Sequence, residues 1–194
     1  MKLLKIGLWT FFVVSILVIT FLRTDFYRDL YSKNLAKDLF MKELLASQNI
    51  DYVMPNTFHE KSLFDRKIIN VATGDTLDLS KYRGKPVFLN YWFTSCWPCI
   101  KEFPSVETFY KEKSDVINFF VITNEKPEIV KKFLLKRNYN LPFYSLVGNK
   151  FPEATSGYPT SFLFINNKPI FRFVGMGYFD LDEFYDYVDK KLAN

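Results

Sequence analysis

The sequence predicts an α/β domain in which one mixed β-sheet is covered by helices. Three observations predict this class: apolar runs of strand length, helical patterns that alternate with them, and a hairpin signal near the C-terminal end. A hydrophobic fraction of 48% and an aromatic fraction of 19% supply a substantial core in a chain of 194 residues. The predicted organisation is an anchor at residues 1–23, a stalk at residues 24–60 and the α/β domain at residues 61–194.

The N-terminal segment predicts a membrane anchor. Residues 6–22 carry no charge, and seventeen residues make about 26 Å of helix, which lies within the range that crosses a bilayer. Lys2 and Lys5 precede the segment and favour a cytoplasmic N-terminus. A cleaved signal peptide is the alternative, but small residues that mark a cleavage site are lacking. We therefore expect a single-pass protein of the cytoplasmic membrane, with its domain on the extracytoplasmic side.

The charge distribution argues against a nucleic-acid partner. The net charge is +5, of which residues 1–23 contribute +3, and the other 23 basic and 21 acidic side chains are interspersed. A nucleic-acid surface would need a basic cluster. Residues 24–60 combine many charges with loosely helical apolar spacing, which predicts a juxtamembrane helix or stalk that ends before Pro55.

The α/β pattern begins at about Val71 and then alternates regularly. Residues 86–92 are a continuous apolar run, typical of a strand that is buried on both faces. Asn166 begins a four-residue segment, Asn-Asn-Lys-Pro, that is a hairpin signal. The predicted elements are a strand at 86–92, a helix at 97–113, a strand at 116–123, a helix at 127–137, strands at 143–147, 161–165 and 170–174, and a helix from 180.

Two of the predicted helices carry charges that suit the helix dipole. Pro127 opens the first with Glu128 in its first turn, while Lys136 and Arg137 lie in its predicted last turn. The final helix is expected to open at Asp180, with Glu183 three residues on in capping-box spacing. Its predicted buried stripe comprises Leu181, Phe184, Tyr185, Val188 and Leu192.

The chain has two cysteines, Cys96 and Cys99, and three uses of them can be compared. A structural disulfide stabilises by closing a long loop, whereas this pair would enclose two residues. Structural zinc needs four ligands, and the single histidine, His59, lies in the stalk. Covalent haem attachment needs C-x-x-C-H, but Ile100 follows the pair. A redox-active dithiol that needs no metal or other cofactor is the remaining interpretation.

The position of the pair gives each sulfur a different expected role. It lies where a buried strand ends and a helix begins, so unpaired N–H groups and the helix dipole favour a thiolate at Cys96. Cys99, one turn further, is the expected resolving thiol that attacks a mixed disulfide. Pro98 fits the first helical turn, where a missing N–H costs little.

Several motifs in order resemble one known family. FLNYWFTSCWPC at residues 88–99 resembles the active-site strand and loop of thioredoxin-like proteins. IKEFP at 100–104 completes the C-x-P-C-x-x-E-x-P pattern of the membrane-anchored TlpA/ResA/CcmG branch. DLSKYRGKP at 78–86 is similar to its L-x-x-x-x-G-K lead-in, and GYPT at 157–160 to its loop before the hairpin. The resemblance covers about residues 71–192.

This resemblance implies a thioredoxin-like fold with an inserted strand and helix, and disulfide exchange in the reducing direction. The implied partners are disulfides of exported proteins, with apocytochrome c as a candidate, and a transmembrane thiol reductant as electron donor. An oxidase or isomerase and a non-catalytic binding module remain alternatives. Copper delivery is a further one, which the lack of a histidine ligand disfavours.

The resemblance also assigns roles to residues around the pair. It implies that Glu102 accepts the proton of Cys99; the alternative is an exposed carboxylate near a helix N-terminus. It implies a cis peptide bond before Pro159, with Pro159 and Tyr158 at the substrate-binding surface, although Tyr158 could instead serve packing. Trp97, which departs from the family pattern between the cysteines, is also expected at that surface.

Three further residues are expected to support the site. Asn90 occupies the position where thioredoxins often carry a buried acid, which shifts the role of base toward Glu102. Trp92 either shields the disulfide or belongs to the core. Pro104 is expected to kink the helix and to be structural.

Overall fold

Contacts in the computed structural model divide the chain into two compact units, Met1–Asp38 and Leu39–Asn194. The residues that the structure describes are 2–22, 25–48, 63–148, 157–166 and 168–193. Pro55 and His59, on which the predicted end of the stalk and the unassigned histidine fall, lie outside these ranges. The predicted domain boundaries therefore remain predictions.

The N-terminal region contains two helices. Helix α1 spans Lys2–Leu22 and helix α2 spans Asp25–Gln48. The apolar side chains of α1 from Trp9 to Phe21 are largely exposed to solvent. Over the described ranges, no helix combines the length and the apolar character that crossing a bilayer requires.

One mixed sheet of seven described strands forms the centre of the second unit, as the sequence predicts. The strands lie in the order β2-β1-β5-β4-β3-β6-β7. The pairs β3–β4 and β4–β5 are parallel, and the other pairs are antiparallel. The strands are β1 (Lys67–Asn70), β2 (Thr76–Asp78), β3 (Val87–Tyr91), β4 (Asn118–Thr123), β5 (Phe143–Leu146), β6 (Thr160–Ile165) and β7 (Lys168–Val174).

Three further helices accompany this sheet: α3 (Trp97–Lys113), α4 (Pro127–Leu134) and α5 (Asp182–Leu192). Strand β3 is buried along its whole length, and its side chains alternate between two apolar clusters, as the period of a strand requires. Val87, Leu89 and Tyr91 belong to one cluster, whereas Phe88 belongs to the cluster that contains buried residues of α3 and α5. Asn90 therefore points to the face that α3 covers.

Strand β1 precedes Val71, where the predicted α/β pattern begins, and β2 precedes the first predicted strand at residues 86–92. They have four and three residues, which is too short for a periodic signal to be distinctive. A turn joins them, in which Asn70 Oδ1 accepts hydrogen bonds from the N–H groups of Ala72 and Thr73 at 2.9 and 3.1 Å. A 3₁₀ helix, Leu79–Tyr82, follows β2. The folded sheet therefore starts earlier than the apolar pattern indicates.

The end of α2 contributes to the core of the second unit. Phe40 and Leu44 are fully buried, and the ring of Phe40 lies 5.1–5.6 Å from the rings of four other phenylalanines. The hydroxyl of Tyr187 donates to the carbonyl of Ile170 and, at 3.4 Å, to that of Ser47. Phe40, Leu44 and Ser47, which lie in the predicted stalk, thus pack with residues of β7 and α5. The four phenylalanines are Phe171, Phe173, Phe179 and Phe184.

Helix α4 ends at Leu134, so the prediction that it continues to Arg137 is wrong. The basic residues of its last turn are Lys131 and Lys132. The guanidinium of Arg137 instead turns back onto the helix, 3.9 Å from the ring centre of Phe133, and Nη1 donates to the Phe133 carbonyl at 3.1 Å. The favourable contact of a cation with the C-terminal end of the helix is therefore made from outside it.

The predicted capping box of the last helix is also wrong. Helix α5 begins at Asp182, and its N-cap residue is Leu181, whose side chain makes no capping hydrogen bond. The buried Phe179 and the turn that follows it place Asp180 before the helix. The acidic first turn is formed by Asp182 and Glu183, which still suits the helix dipole.

The predicted hairpin and the buried face of the last helix differ from the structure in detail. Strand β7 begins at Lys168, so the connection is shorter than the expected four residues, and Asn166 adopts a φ of 51° that suits a tight turn. In α5, Tyr187 is buried beside Phe184 and Val188, although the predicted stripe omits it. Lys168 pairs with Ile165 of β6, and Tyr187 contacts Ile170 and Phe171 of β7.

Candidate active site

The two cysteines form a disulfide at the N-terminus of α3. Cys96 is the N-cap residue, and its Sγ accepts a hydrogen bond from the N–H of Cys99 at 3.3 Å. The carbonyl of Cys96 accepts from the N–H of Ile100 at 3.1 Å. Pro98 lies in the first turn, as expected. Because the Cys99 N–H and the positive end of the helix dipole both point at Cys96 Sγ, a thiolate at Cys96 would be stabilised there.

The two sulfurs differ in their access to solvent. Cys96 retains 5% of its surface and Cys99 none. Trp97, between them, is 52% exposed, and the ammonium of Lys101 lies 5.3 Å from the centre of its ring. A partner that approaches over Trp97 therefore meets Cys96 first, while Cys99 is reached only from within the protein.

Glu102 lies one helical turn beyond Cys99 and is buried, with 1% of its surface exposed. The alternative of an exposed carboxylate is therefore wrong. Its Oε1 accepts from Asn90 Nδ2 at 2.6 Å, and its Oε2 accepts from the N–H of Gly177 at 2.8 Å. Burial raises the pKa of the Glu102 carboxyl to about 8, and the bonds from Gly177 and Asn90 oppose the rise only in part. This group can change its protonation state near neutral pH.

Asn90 connects the helix that carries Glu102 with the sheet. It is fully buried in β3, and its Nδ2 also donates to Ser161 Oγ, at 2.9 Å, on the neighbouring strand β6. Its Oδ1 has no hydrogen-bond partner among the described atoms. The amide thus directs its donor end at Glu102, which favours the ionised carboxylate.

Gly177 holds the other side of the carboxylate. Its N–H donates to Glu102, and its carbonyl accepts from Ser105 Oγ at 3.3 Å, so both polar groups of its backbone bind α3. A Cβ at this position would lie 2.3 Å from the ring of Phe179. Glycine is therefore required for the chain to pass between Phe179 and the buried acid.

Trp92 belongs to the core that underlies the disulfide. It is fully buried and its ring lies 5.0–5.2 Å from those of Phe103, Phe133 and Phe143. Trp92 is therefore a core residue, in the same apolar cluster as Cys96 and Cys99, and shielding of the disulfide stays a prediction. Pro104 lies inside α3, where its ring removes one backbone hydrogen bond.

The predicted substrate-binding residues lie near the loop that leads to Cys96. The Tyr158–Pro159 peptide bond is cis, which confirms the expectation from the resemblance. The ring of Tyr158 lies 5.2 Å from that of Phe93 in an edge-to-face arrangement, so Tyr158 serves packing, and its role in substrate binding stays a prediction. Strand β6 continues directly from Pro159 and pairs with β3, which brings this segment to the end of the strand that leads to the disulfide.

Sequence reasoning missed three residues of the site: Ser161, Gly177 and Glu125. The carboxylate of Glu125 accepts from the Thr94 N–H at 2.6 Å and from Thr94 Oγ1 at 2.7 Å. A serine inside an apolar strand is a signal that could have marked Ser161. The other two depend on loops that are distant in sequence and carry no local signal.

Over the described parts of the chain, no cluster of histidine, cysteine, aspartate and glutamate side chains is placed to hold a metal ion. The chemistry that the site offers is that of its sulfurs and of one buried acid. A disulfide at a helix N-terminus, a cis-proline loop and a mixed sheet together define a thioredoxin-like fold with a C-x-x-C pair at its helix terminus.

The chain belongs to the Redoxin family, whose sequence pattern matches residues 66–172, more than half of its length. Thiol-disulfide oxidoreductase ResA of Bacillus subtilis is 33% identical over 100 residues, which cover 50% of this chain and 56% of that protein. ResA of Halalkalibacterium halodurans is 35% identical over 77 residues, covering 39% and 43%. The chain spans about half the length of the curated relatives it matches.

Solved structures show the same fold. The crystal structure of a thioredoxin-related protein from Neisseria meningitidis serogroup B matches with a TM-score of 0.53 and 16% identity, over 66% of this chain and 99% of that one. These comparisons confirm the thioredoxin-like fold and the resemblance to ResA-type members of the thioredoxin family.

Proposed function

We propose that this protein is a thiol–disulfide oxidoreductase that reduces disulfides of exported proteins through Cys96 and Cys99. The observation that carries the proposal is the asymmetry of the pair: Cys96 is the N-cap of α3 and is slightly exposed, whereas Cys99 is fully buried one turn further. The exposed sulfur is the one that the helix activates, and the buried sulfur is available only to resolve an intermediate.

The reaction transfers two electrons from the dithiol to the client. The Cys96 thiolate attacks one sulfur of a client disulfide, forms a mixed disulfide and releases the other client sulfur as a thiolate. Cys99 then loses its proton and attacks Cys96 Sγ, which releases the second client sulfur. The client thiolates take up two protons, and the protein is left with the Cys96–Cys99 disulfide that the structure contains.

Glu102 supports this cycle by handling the proton of Cys99. In the oxidised protein its pKa of about 8 keeps the carboxyl largely protonated at neutral pH. When a thiol reductant attacks Cys96 and reopens the disulfide, this acid can protonate the departing Cys99 thiolate. The resulting carboxylate can take the proton back when Cys99 next acts as the nucleophile. The same group thus serves as acid in regeneration and as base in client reduction.

The proposed direction of the reaction and the proposed client rest on the cysteine loop and on the motifs around it. A strongly oxidising pair requires a strongly stabilised thiolate. The two residues between the cysteines, Trp97 and Pro98, supply no cation that would stabilise one in this way, which favours the reducing direction. Apocytochrome c is proposed as one client because the motifs resemble the TlpA/ResA/CcmG branch. A transmembrane thiol reductant is proposed as the electron donor that regenerates the dithiol.

Tethering to the cytoplasmic membrane is a separate part of the proposal. It is supported by the uncharged sequence of residues 6–22, which is helical in α1, and by the preceding Lys2 and Lys5. The tether would place the catalytic domain on the extracytoplasmic side, where disulfides form.

A Cys99→Ser variant in cells that express the full chain tests the reaction. It should accumulate a mixed disulfide between Cys96 and its client that reducing agents release, and the Cys96→Ser, Cys99→Ser double variant should show none. Absence of any adduct in the single variant would contradict the enzymatic mechanism and favour a binding module.

The reduction potential of the Cys96–Cys99 disulfide tests the direction of the reaction. A potential below about −250 mV supports a reductase, whereas one near about −120 mV indicates an oxidant.

A further inference from the structure

The loop that carries Cys96 is held by a side chain outside the cysteine motif. Strands β3 and β4 are parallel neighbours, and the N–H of Trp92 still bonds to the carbonyl of Ile122 at 3.0 Å. The segments that follow the two strands therefore leave the sheet side by side. The first contains Thr94 and leads to Cys96, and the second contains Glu125 and leads to α4.

Glu125 binds Thr94 through both oxygens of its carboxylate. Oε2 accepts from the Thr94 backbone N–H at 2.6 Å, and Oε1 accepts from Thr94 Oγ1 at 2.7 Å. Thr123 Oγ1 donates to Oε2 and accepts from the Glu125 N–H, both at 3.3 Å. Thr123 is fully buried at the end of β4, so the carboxylate is fixed to the sheet on one side and to the loop on the other.

Thr94 lies inside the turn that positions the nucleophile. The N–H of Cys96 donates to the carbonyl of Phe93 at 3.0 Å, which makes Thr94 and Ser95 the central residues of a tight turn. We propose that Glu125 is a positioning residue of the active site, which holds Thr94 so that Cys96 stays at the N-terminus of α3. This inference rests on the proposed function, since it concerns the reactivity of the same cysteine.

A helix N-terminus activates a thiolate only over a short distance. The effect of the dipole and of the free N–H groups falls off within the first turn, so a loop that lets Cys96 move away weakens it. A bidentate contact to a charged group is among the stronger hydrogen-bonding arrangements. The loop therefore keeps Cys96 in place before any client binds.

The alternative is that Glu125 acts on Cys96 through its charge alone, and the two effects have opposite signs. A nearby negative charge disfavours a thiolate, so its removal would lower the pKa of Cys96. Loss of positioning would raise that pKa. The sign of the change in the Cys96 pKa therefore distinguishes loss of positioning from loss of charge. The charged side chains of Lys101 and Glu102 are the same in every variant, so they do not contribute to this change.

The test is the pH profile of Cys96 alkylation in the purified, reduced full chain. Glu125→Ala should raise the pKa of Cys96, so that alkylation below that pKa slows about three- to tenfold, since one pKa unit is a tenfold change in thiolate. Glu125→Gln should stay within about twofold of the parent, because its amide can accept from the Thr94 N–H and donate to Oγ1. Thr94→Val, which changes no charge, should fall between them.

Two matched controls define the outcome. Ser95→Ala changes the exposed neighbour of Thr94 in the same turn, and Glu128→Gln removes an exposed carboxylate from the first turn of α4; both should match the parent. The proposal is overturned if Glu125→Ala and Glu125→Gln lower the pKa equally, or if the variants lose thermal stability with an unchanged pKa. Alkylation needs no client, so failure of client trapping would contradict the proposed function without affecting this result.

Discussion

Cys96 and Cys99 are one helical turn apart, and their surroundings differ in kind. Around Cys96 the structure provides backbone N–H groups, a turn bound by Glu125 and the exposed ring of Trp97. Around Cys99 it provides a sealed apolar core and, one turn on, the buried acid Glu102. The proposed mechanism accordingly uses the first sulfur as the accessible nucleophile and the second as the buried partner of the acid. The following predictions test whether the two halves of the site are separable.

The largest expected effect is the loss of each sulfur. Cys96→Ser should abolish reduction of insulin disulfides, because Cys99 is fully buried and cannot replace the missing nucleophile. Cys99→Ser should abolish turnover but retain rapid alkylation of Cys96. Equal alkylation rates of the remaining cysteine in the two variants, after reduction, would contradict the asymmetry.

Replacement of the buried acid should affect only the second half of the site. In Glu102→Gln, resolution of the mixed disulfide by Cys99 is expected to slow by about a hundredfold, at the lower end of what a positioned acid or base contributes. Formation of the mixed disulfide by Cys96 should change little. Single-turnover mixing with a labelled peptide disulfide measures both steps. A slower first step with an unchanged second step would assign Glu102 to Cys96 instead.

The same group makes the stability of the oxidised protein depend on pH. The pKa of Glu102 is raised from 4.5 to about 8 on folding, so between these values the folded state binds the extra proton. The contribution of Glu102 to the free energy of unfolding should therefore be greatest below pH 4.5. It should fall as pH rises toward about 8. Denaturant unfolding across this range, compared with Glu102→Gln, measures the contribution. The variant should lack this part of the decline, and an identical pH profile would mean that Glu102 is ionised in the fold.

Gly177→Ala should disturb the buried acid from the opposite side. The added methyl group would lie 2.3 Å from the ring of Phe179, and overpacking of this kind costs about 1–3 kcal/mol. The shift would also move the N–H that binds Glu102 and thereby raise the pKa of that carboxyl further. Thermal unfolding and the pH dependence of the resolving step are the measurements. Gly74→Ala is the control for destabilisation alone: its added Cβ meets nothing within 4 Å, but its φ of 83° strains an alanine, so it should lower stability without changing the resolving step.

The features that could be predicted from the sequence are those that the local chain determines. The buried strand β3, the helix that follows it and the placement of Cys96 and Cys99 at its start all lie within one segment of about 25 residues. Glu102 shares a helix face with Cys99 by spacing alone. The prediction of a cis bond before Pro159 depended on the resemblance to a family, because most X–Pro bonds in folded proteins are trans.

The remaining parts depend on contacts between distant segments. Ser161 meets Asn90 across 71 positions because of the register of β3 and β6, and Gly177 meets Glu102 across 75. Phe40 and Leu44 join the core from a helix that also carries many charged residues. No local pattern encodes such pairings, so the proton-handling half of the site could be predicted only as a single carboxylate without its partners.

The smallest expected effect lies at the exposed rim, and it should be confined to protein clients. Trp97 is 52% exposed beside Cys96, and its ring is accompanied by the ammonium of Lys101. Because an aromatic anchor at an interface contributes about 1 kcal/mol or more, Trp97→Ala should raise KM for a folded disulfide client about fivefold. The turnover number and the reduction of a small aromatic-free disulfide should stay unchanged, since neither the helix terminus nor Glu102 is altered. Trp97→Phe should restore most of the affinity. A fall in the turnover number with unchanged KM would show that Trp97 acts on the chemistry of Cys96. In that case the binding of clients at the surface and the transfer of protons in the interior would not be separate.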